Sequence, residues 1–233
     1  DCKIMAAEFA FQGFIAAVKV INLSGCPLTG AIYEDGEWYD IDSDMTGFVA
    51  LCGVLGKLHE VNLSNCGLGP SSAGELAKAV SSAEAALVAA NIAFNQIGAE
   101  GGATLVGALK TSKIQFLGIG KQYKTAGGAL ITRSLMRTGV NLSLAGRSGE
   151  IVEIYSSNPE FIKMKWQDDG STSEWTDIKT MDGEPLNLPL QSKFEGDSLD
   201  LSQQQIDPGY AIILSWWLTT PFTAALVEVV LDG

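Results

Sequence analysis

In "VINLSGCPL" (residues 20–28) and "EVNLSNCGL" (residues 60–68), apolar side chains fall on alternate positions around an asparagine, and then spread further apart. The alternation of Ile21 with Leu23, and of Val61 with Leu63, is the period of a strand with one buried face. A third stretch, "LVAANIAFNQI", repeats the phrasing with Leu87, Ala90, Ile92, Asn95 and Ile97. Aligned, the three define a template: apolar at the first, fourth and sixth positions, Asn or Cys at the ninth, apolar at the eleventh. The first copy supplies Val18, Ile21, Leu23, Cys26 and Leu28, and the second Leu58, Val61, Leu63, Cys66 and Leu68. A glycine and an apolar helical pattern follow the second and third copies, so "GAEGGATLVGALKTSKIQFL" predicts a turn, a helix and the next strand.

Fainter copies extend the pattern. "IQFLGIGKQY" keeps Ile114, Leu117 and Ile119 but has Gln122 and Lys124 at the last two marks. "LDLSQQQI" keeps Leu199, Leu201 and Ile206 with Gln204 at the Asn/Cys position, and a sixth copy begins at Leu226 with Val229 and Leu231. This template resembles the leucine-rich repeat, in particular the ribonuclease-inhibitor-like subclass, whose period is roughly 20–29 residues. The resemblance implies an α/β leucine-rich-repeat solenoid, with a curved parallel sheet inside and helices on the convex side. It also implies that Leu23, Leu63, Ile92, Ile119, Leu201 and Leu231 stand in one hydrophobic column. Cys26 and Cys66 then fill the Asn/Cys slot; a metal pair or redox switch is the competing reading.

Two interruptions break the expected stack. The excess between the first two copies, "AIYEDGEWYDIDSDM", is acidic and aromatic and is expected to loop out at about residues 30–45. Its "DIDSD" lacks the glycine and the ligand order of a calcium loop, so Ser43 or Asp44 is read as a cap for the helix over "MTGFVALCGVLGK". The second interruption holds the β-patterned runs "GEIVEIY", "FIKMKWQ" and "TSEWTDI", the last two joined by the turn "DDGS". Over residues 146–181 it resembles a small SH3-like or Tudor-like barrel, which implies that Tyr155, Trp166 and Trp175 form either its core or a cage for a methylated side chain. The expected organisation is therefore repeats over 1–140, the SH3-like β module over 146–181, and repeats again over 186–233.

With the buried positions assigned, the concave face is read from the fifth and eighth template positions. Its candidate contact residues are Asn22, Asn62, Asn65, Asn91, Phe94, Lys121, Asp200 and Gln203, a polar, amide-rich set with one apolar point. Of Trp216 and Trp217, adjacent on a helical pattern, one is expected to face the core and the other a partner or the inserted module.

Charge and chemistry narrow the function. A net charge of −12 argues against nucleic acid, which needs a basic surface. The four cysteines show no CxxC spacing, which points to free thiols in an intracellular, cytoplasmic or organellar setting. "YAIILSWWLTTPFTAALVEVVL" carries a single charge, Glu228, but Pro221 and its threonines make a buried helix and strand a simpler reading than a membrane span. The lone His59 has no placed partner, and no phosphate loop, nucleophile elbow or zinc-helix motif occurs. The expectation is a non-catalytic interaction or scaffold protein with a protein partner, no cofactor and no metal. A permanent subunit of a large assembly and a modified-residue reader are the alternatives. The chain begins with Asp1 inside a helical pattern, "IMAAEFAFQGFIAA", and reads as a processed chain or a piece of something longer.

Overall fold

The computed structural model describes residues 18–82 and 86–231; Cys2 and the helix expected over "IMAAEFAFQGFIAA" lie outside the described residues. Strand β1 (Val20–Asn22) leads into a hairpin of β2 (Ile32–Glu34) and β3 (Glu37–Tyr39), followed by helix α1 (Thr46–Leu55). Next come β4 (Glu60–Asn62), α2 (Pro70–Ser81), β5 (Ala89–Asn91), α3 (Gly98–Leu109) and β6 (Phe116–Lys124). Strands β1, β4, β5 and β6 pair in parallel with Ile21, Val61, Ala90 and Leu117 side by side. All four face the same core, which the helices close with Phe48, Leu55, Leu76 and Leu105.

Turns rather than strands make this alternation fold. Gly25, Asn65 and Phe94 follow β1, β4 and β5 with φ of 76°, 53° and 59°, a left-handed step that takes the chain out of the strand. Asn95 then fastens neighbouring turns together. Its Oδ1 accepts the Cys66 and Leu68 N–H groups at 2.9 and 3.0 Å, and its Nδ2 donates to the Leu63 and Ile92 carbonyls at 2.9 and 2.7 Å. Cys66 is buried, with its Sγ 3.0 Å from the Leu23 carbonyl, so it serves packing and a weak hydrogen bond.

The expected six-unit leucine-rich-repeat solenoid is not what the described residues form. The sheet is mixed: β6 runs on to Lys124, and β12 (Gly183–Pro189) pairs antiparallel along it, with Leu188 opposite Leu117. The short β7 (Leu130–Ile131) pairs antiparallel with the end of β6. The physical reason lies at Lys121, which is absent from the residues of positive φ, so the chain does not leave the strand there. Pro185 and Pro189 then give β12 positions without an N–H, which suits an edge strand.

The last two segments stand apart from this ladder. Among the described residues, β13 (Ser198–Asp200) and β14 (Glu228–Val230) pair in parallel only with each other. Between them α4 (Pro208–Leu218) packs on α3, where the Cβ of an alanine at Gly102 would lie 2.5 Å from the Gly209 Cα. Asp207 caps α4 through the Gly209 and Tyr210 N–H groups and also accepts from Gly98 N–H at 2.7 Å. Of the six side chains expected in one column, Leu23, Leu63 and Ile92 follow neighbouring strands of one sheet, Ile119 lies within β6 of that sheet, and Leu201 reaches the same core. Leu231 is 53% exposed.

A second, antiparallel sheet contains β8 (Asn141–Leu144), β9 (Arg147–Ile154), β10 (Phe161–Trp166) and β11 (Thr176–Asp177), in the order β11-β10-β9-β8. It is an open sheet rather than the expected SH3-like barrel. Its edges, β8 and β11, do not pair with each other, and β12, the strand that follows, joins β6 instead. Its core of Leu142, Ile151, Ile162, Met164 and Ile178 includes Tyr123, supplied by the far half of β6.

Replacing Leu63 or Ile92 with Ala should cost roughly 2–5 kcal/mol in urea unfolding, because both are fully buried and would leave a cavity. Leu231→Ala should cost less than about 0.5 kcal/mol in the same assay.

Candidate functional site

Above the parallel strands lies a groove of about 530 Å³. Asn22, Asn62 and Asn91 form its floor from equivalent register positions on β1, β4 and β5. Adjacent strands are about 4.8 Å apart, so the three amides span roughly 10 Å. Asn65 and Phe94 lie beside this row, and Lys121, Lys124 and the segment from Lys179 to Pro185 form the facing wall. The row stops at Gly118 on β6, where an added Cβ would lie 2.7 Å from Asn91 Oδ1.

The floor asparagines are oriented by their own backbone. Asn22 Oδ1 accepts from Ser24 N–H at 3.0 Å, Asn62 Oδ1 from Ser64 N–H at 3.0 Å, and Asn91 Oδ1 from Ala93 N–H at 3.1 Å. These are Asx turns, in which the side-chain oxygen replaces a backbone acceptor two residues earlier. Asn65 Oδ1 accepts from Trp38 Nε1–H at 2.9 Å. Ser64 Oγ donates to Asn62 Oδ1 at 2.8 Å, which leaves Ser24 Oγ as the donor in its own 2.8 Å bond with Ser64.

The acidic insertion does not loop out. Asp35 and Gly36, with φ of 51° and 88°, close the tight turn of β2 and β3, and the hairpin reaches the second sheet. Tyr33 OH donates to Asp177, and Lys179 Nζ makes a buried 2.6 Å ion pair with Glu160 and donates to the Gly36 carbonyl at 3.2 Å. Burial, reinforced by Asp177, pushes the Tyr33 hydroxyl well above its ordinary value and keeps it a donor. Trp38 packs on Tyr33 at 4.8 Å between ring centroids. Contacts of this kind fasten the hairpin to the second sheet, and its Gly36, Glu37 and Trp38 line a separate pocket of about 360 Å³ with Phe94 and Lys179. The "DIDSD" stretch caps helices: Asp42 accepts from Gly69, Ser71 and Ser72 N–H at the start of α2, and Asp44 Oδ1 accepts from Thr46 N–H.

The cationic wall has its own electrostatics. Burial lowers the Lys121 ammonium below its ordinary value, against the pull of Asp182 and Asp177, and its Nζ donates to the Lys179 carbonyl at 2.7 Å. Burial would raise Asp182, but the Ser143 hydroxyl and the Gly146 and Ala145 N–H groups hold it below the usual carboxylate range.

Six of the eight expected contact residues therefore line one groove. Phe94 lines it but is buried to 6% exposure rather than standing out as an apolar point. Asp200 and Gln203 lie outside it. Asp200 accepts from Ser202 and Ser134 and lines a separate cavity with Gln122 and Thr132. Lys124, Lys179, Asp182 and Glu184 were missed, because the extension of β6 and the segment leading into β12 reach the groove through tertiary pairing. The proline-spaced "EPLNLPL" was the available sign of an edge strand.

The three aromatics read as a core or a possible cage are not all brought together. Tyr155 and Trp175 pack with ring centroids 5.0 Å apart and planes tilted by 48°, with Lys163 Nζ 4.3 Å from the Trp175 ring. Tyr155 N–H bonds the Phe161 carbonyl, whereas Trp166 pairs with Gly149 at the other end of β10, roughly 16 Å along the strand. Trp166 is mostly buried beneath Arg147, whose guanidinium lies 4.4 Å away and grips Asp168 and Asp169.

Trp217 is fully buried and donates to the Pro189 carbonyl at 2.8 Å, while Trp216 packs partly buried against the same core. Cys26 is exposed, as is His59. Among the described residues no cluster of His, Cys, Asp and Glu could hold a metal ion, and no helix is long and apolar enough to cross a membrane. No family model matches the chain, and no curated protein matches it. The mixed sheet and the absence of a family match together overturn the leucine-rich-repeat and SH3-like or Tudor-like resemblances.

Asn62→Asp keeps the oxygen of the Asx turn, and its folding free energy should stay within about 0.5 kcal/mol of the wild type. Asn62→Ala loses that acceptor and should cost about 1 kcal/mol, measured by urea unfolding at neutral pH.

Proposed function

We propose that this chain is a non-catalytic interaction or scaffold protein that receives a segment of a partner protein in the groove above β1, β4, β5 and β6. The observation that carries this reading is the asparagine row. Asn22, Asn62, Asn65 and Asn91 each use Oδ1 within the fold, which aims their amide nitrogens at the groove in a fixed array. A rigid array of donors needs little ordering on binding, which favours recognition of a surface that matches it. Protein is the partner class favoured by an acidic chain whose groove carries amides and ammonium groups together.

The titratable groups of the groove support a binding role over a catalytic one. Lys179 is paired with Glu160, and Asp182 is held by three donors, so each has a structural duty. The four cysteines, which show neither CxxC spacing nor the density of a disulfide scaffold, support placement in a reducing compartment.

A permanent place in a larger assembly is the second reading. It is favoured by the exposed apolar side chains of Val227 and Leu231 beside β14, at 86% and 53% exposure.

Affinity capture from the native source should compare the wild type, Asn22→Asp/Asn62→Asp, and a control on the exposed side of α2, Lys78→Glu. The groove reading expects a partner held by the wild type and the control but reduced at least about tenfold by the double variant. Retention of every captured partner by the double variant would exclude the groove. If Val227→Asp instead removes the partner, the assembly reading gains.

A further inference from the structure

Strand β14 has an open edge. β13 lies on one side of it, and among the described residues no strand pairs with the other. Two strands alone make a marginal sheet. The Glu228 N–H donates to the Asp197 carbonyl at 3.1 Å, and the Val230 carbonyl accepts from Leu201 N–H at 2.9 Å. Backbone groups alternate in direction along a strand, so the N–H and C=O of Val229 point away from β13, to the open side. Proline blunts the edge at β12, through Pro185 and Pro189, whereas residues 226–231 contain neither proline nor lysine.

The side chains along this edge are apolar and uncovered. Val227, Val229 and Leu231 alternate onto one face of the strand. Val229 packs partly buried against the main core, but Val227 is 86% and Leu231 53% exposed. Glu228 is the only charged residue between 226 and 231. An occupant must therefore bring a donor and an acceptor to Val229, cover Val227 and Leu231 with apolar side chains, and keep negative charge away from Glu228. A second β14 meets all three conditions. Laid antiparallel about a two-fold axis at Val229, the two Val229 residues exchange both N–H···O=C bonds, as a hydrogen-bonded antiparallel pair does. Val227 of each copy then lies opposite Leu231 of the other, and Glu228 opposite Val230. An axis at Glu228 would instead set two carboxylates face to face, which is destabilising.

We infer that this chain associates with a second copy of itself through β14, antiparallel and in register about Val229. The contact is self-complementary and closes at two copies, whereas pairing of β14 with a different edge of the next copy would grow without end. One strand pair with four exposed apolar side chains is a small interface, so the association is weak and concentration-dependent. This inference rests on the reading of Val227 and Leu231 as an assembly surface and adds what meets them. None of residues 226–231 lines the asparagine groove, so the two surfaces do not compete for the same side chains.

The test is sedimentation equilibrium of the full chain from about 1 µM to about 1 mM, the span of weak association. The wild type should pass from one copy to two over that range and go no further. Val227→Lys/Leu231→Lys sets lysine opposite lysine at both ends of the pair and should weaken the dimer at least about tenfold. Val227→Lys/Leu231→Glu sets opposite charges against each other in this register alone and should bring the dimer back to within about fivefold of the wild type. Both variants change exposed positions, and unchanged circular dichroism should confirm their fold. A wild type that stays single at every concentration, or grows past two copies, overturns the inference. So does a lysine–lysine variant that dimerises like the wild type, or a lysine–glutamate variant that does no better than it. If one of these occurs and Val227→Asp still removes a captured partner, the assembly reading stands with a different protein on β14.

Discussion

The architecture depends on one strand that does not turn. β1, β4 and β5 are each followed, three residues on, by a residue of positive φ, but β6 passes Lys121 in extended form and continues to Lys124. Its first half puts Leu117 and Ile119 into the main core, and its second half puts Tyr123 into the core of the antiparallel sheet. Because β6 is long, it has an edge for β12 to pair with, and that pairing brings the segment from Lys179 to Pro185 over the floor. The Gln204 side chain secures the same point by accepting from the Lys121 N–H at 2.8 Å and donating to its carbonyl at 2.9 Å. Without this extended step there would be a bare parallel ladder and no groove.

The acidic composition is explained by structure more than by ligand chemistry. Asp42 gathers the N–H groups at the start of α2 from a loop far back in the sequence, and Asp207 joins the starts of α3 and α4. Asp182 holds the turn between β8 and β9 in the same manner. Carboxylates suit these places because helix starts and tight turns expose unpaired donors and positive potential. The cations are fewer and several are held close: Lys179 within an ion pair, Arg147 against two aspartates and a tryptophan ring. Lys121 too is held, donating to the Lys179 carbonyl, while Lys124 at the groove stands exposed.

Recognition and folding use opposite ends of the same asparagines. The oxygen of each side chain satisfies a backbone or tryptophan donor, and the nitrogen is left to face the groove. A side chain fixed in this way loses little freedom when a ligand arrives, so a modest number of hydrogen bonds can give useful affinity. The hairpin of β2 and β3 adds to the rigidity by bridging from Asn65, through Trp38, to Asp177 and Lys179 of the second sheet.

What the sequence determined by itself was local. Strand alternation at Ile21/Leu23, Val61/Leu63 and Ala90/Ile92, the buried role of Asn95 and Cys66, and the asparagines on the open face follow from side-chain period and hydrogen-bonding capacity. The tertiary structure decided everything that depended on which edges meet. It ended the parallel ladder at β6, set β13 and β14 apart, left the second sheet open, and divided Tyr155 from Trp166. It also folded an acidic insertion inward, against Asp177 and Lys179. The reason is physical: a short apolar alternation specifies a buried face but not a neighbour, and pairing partners are chosen by contacts between segments remote in sequence.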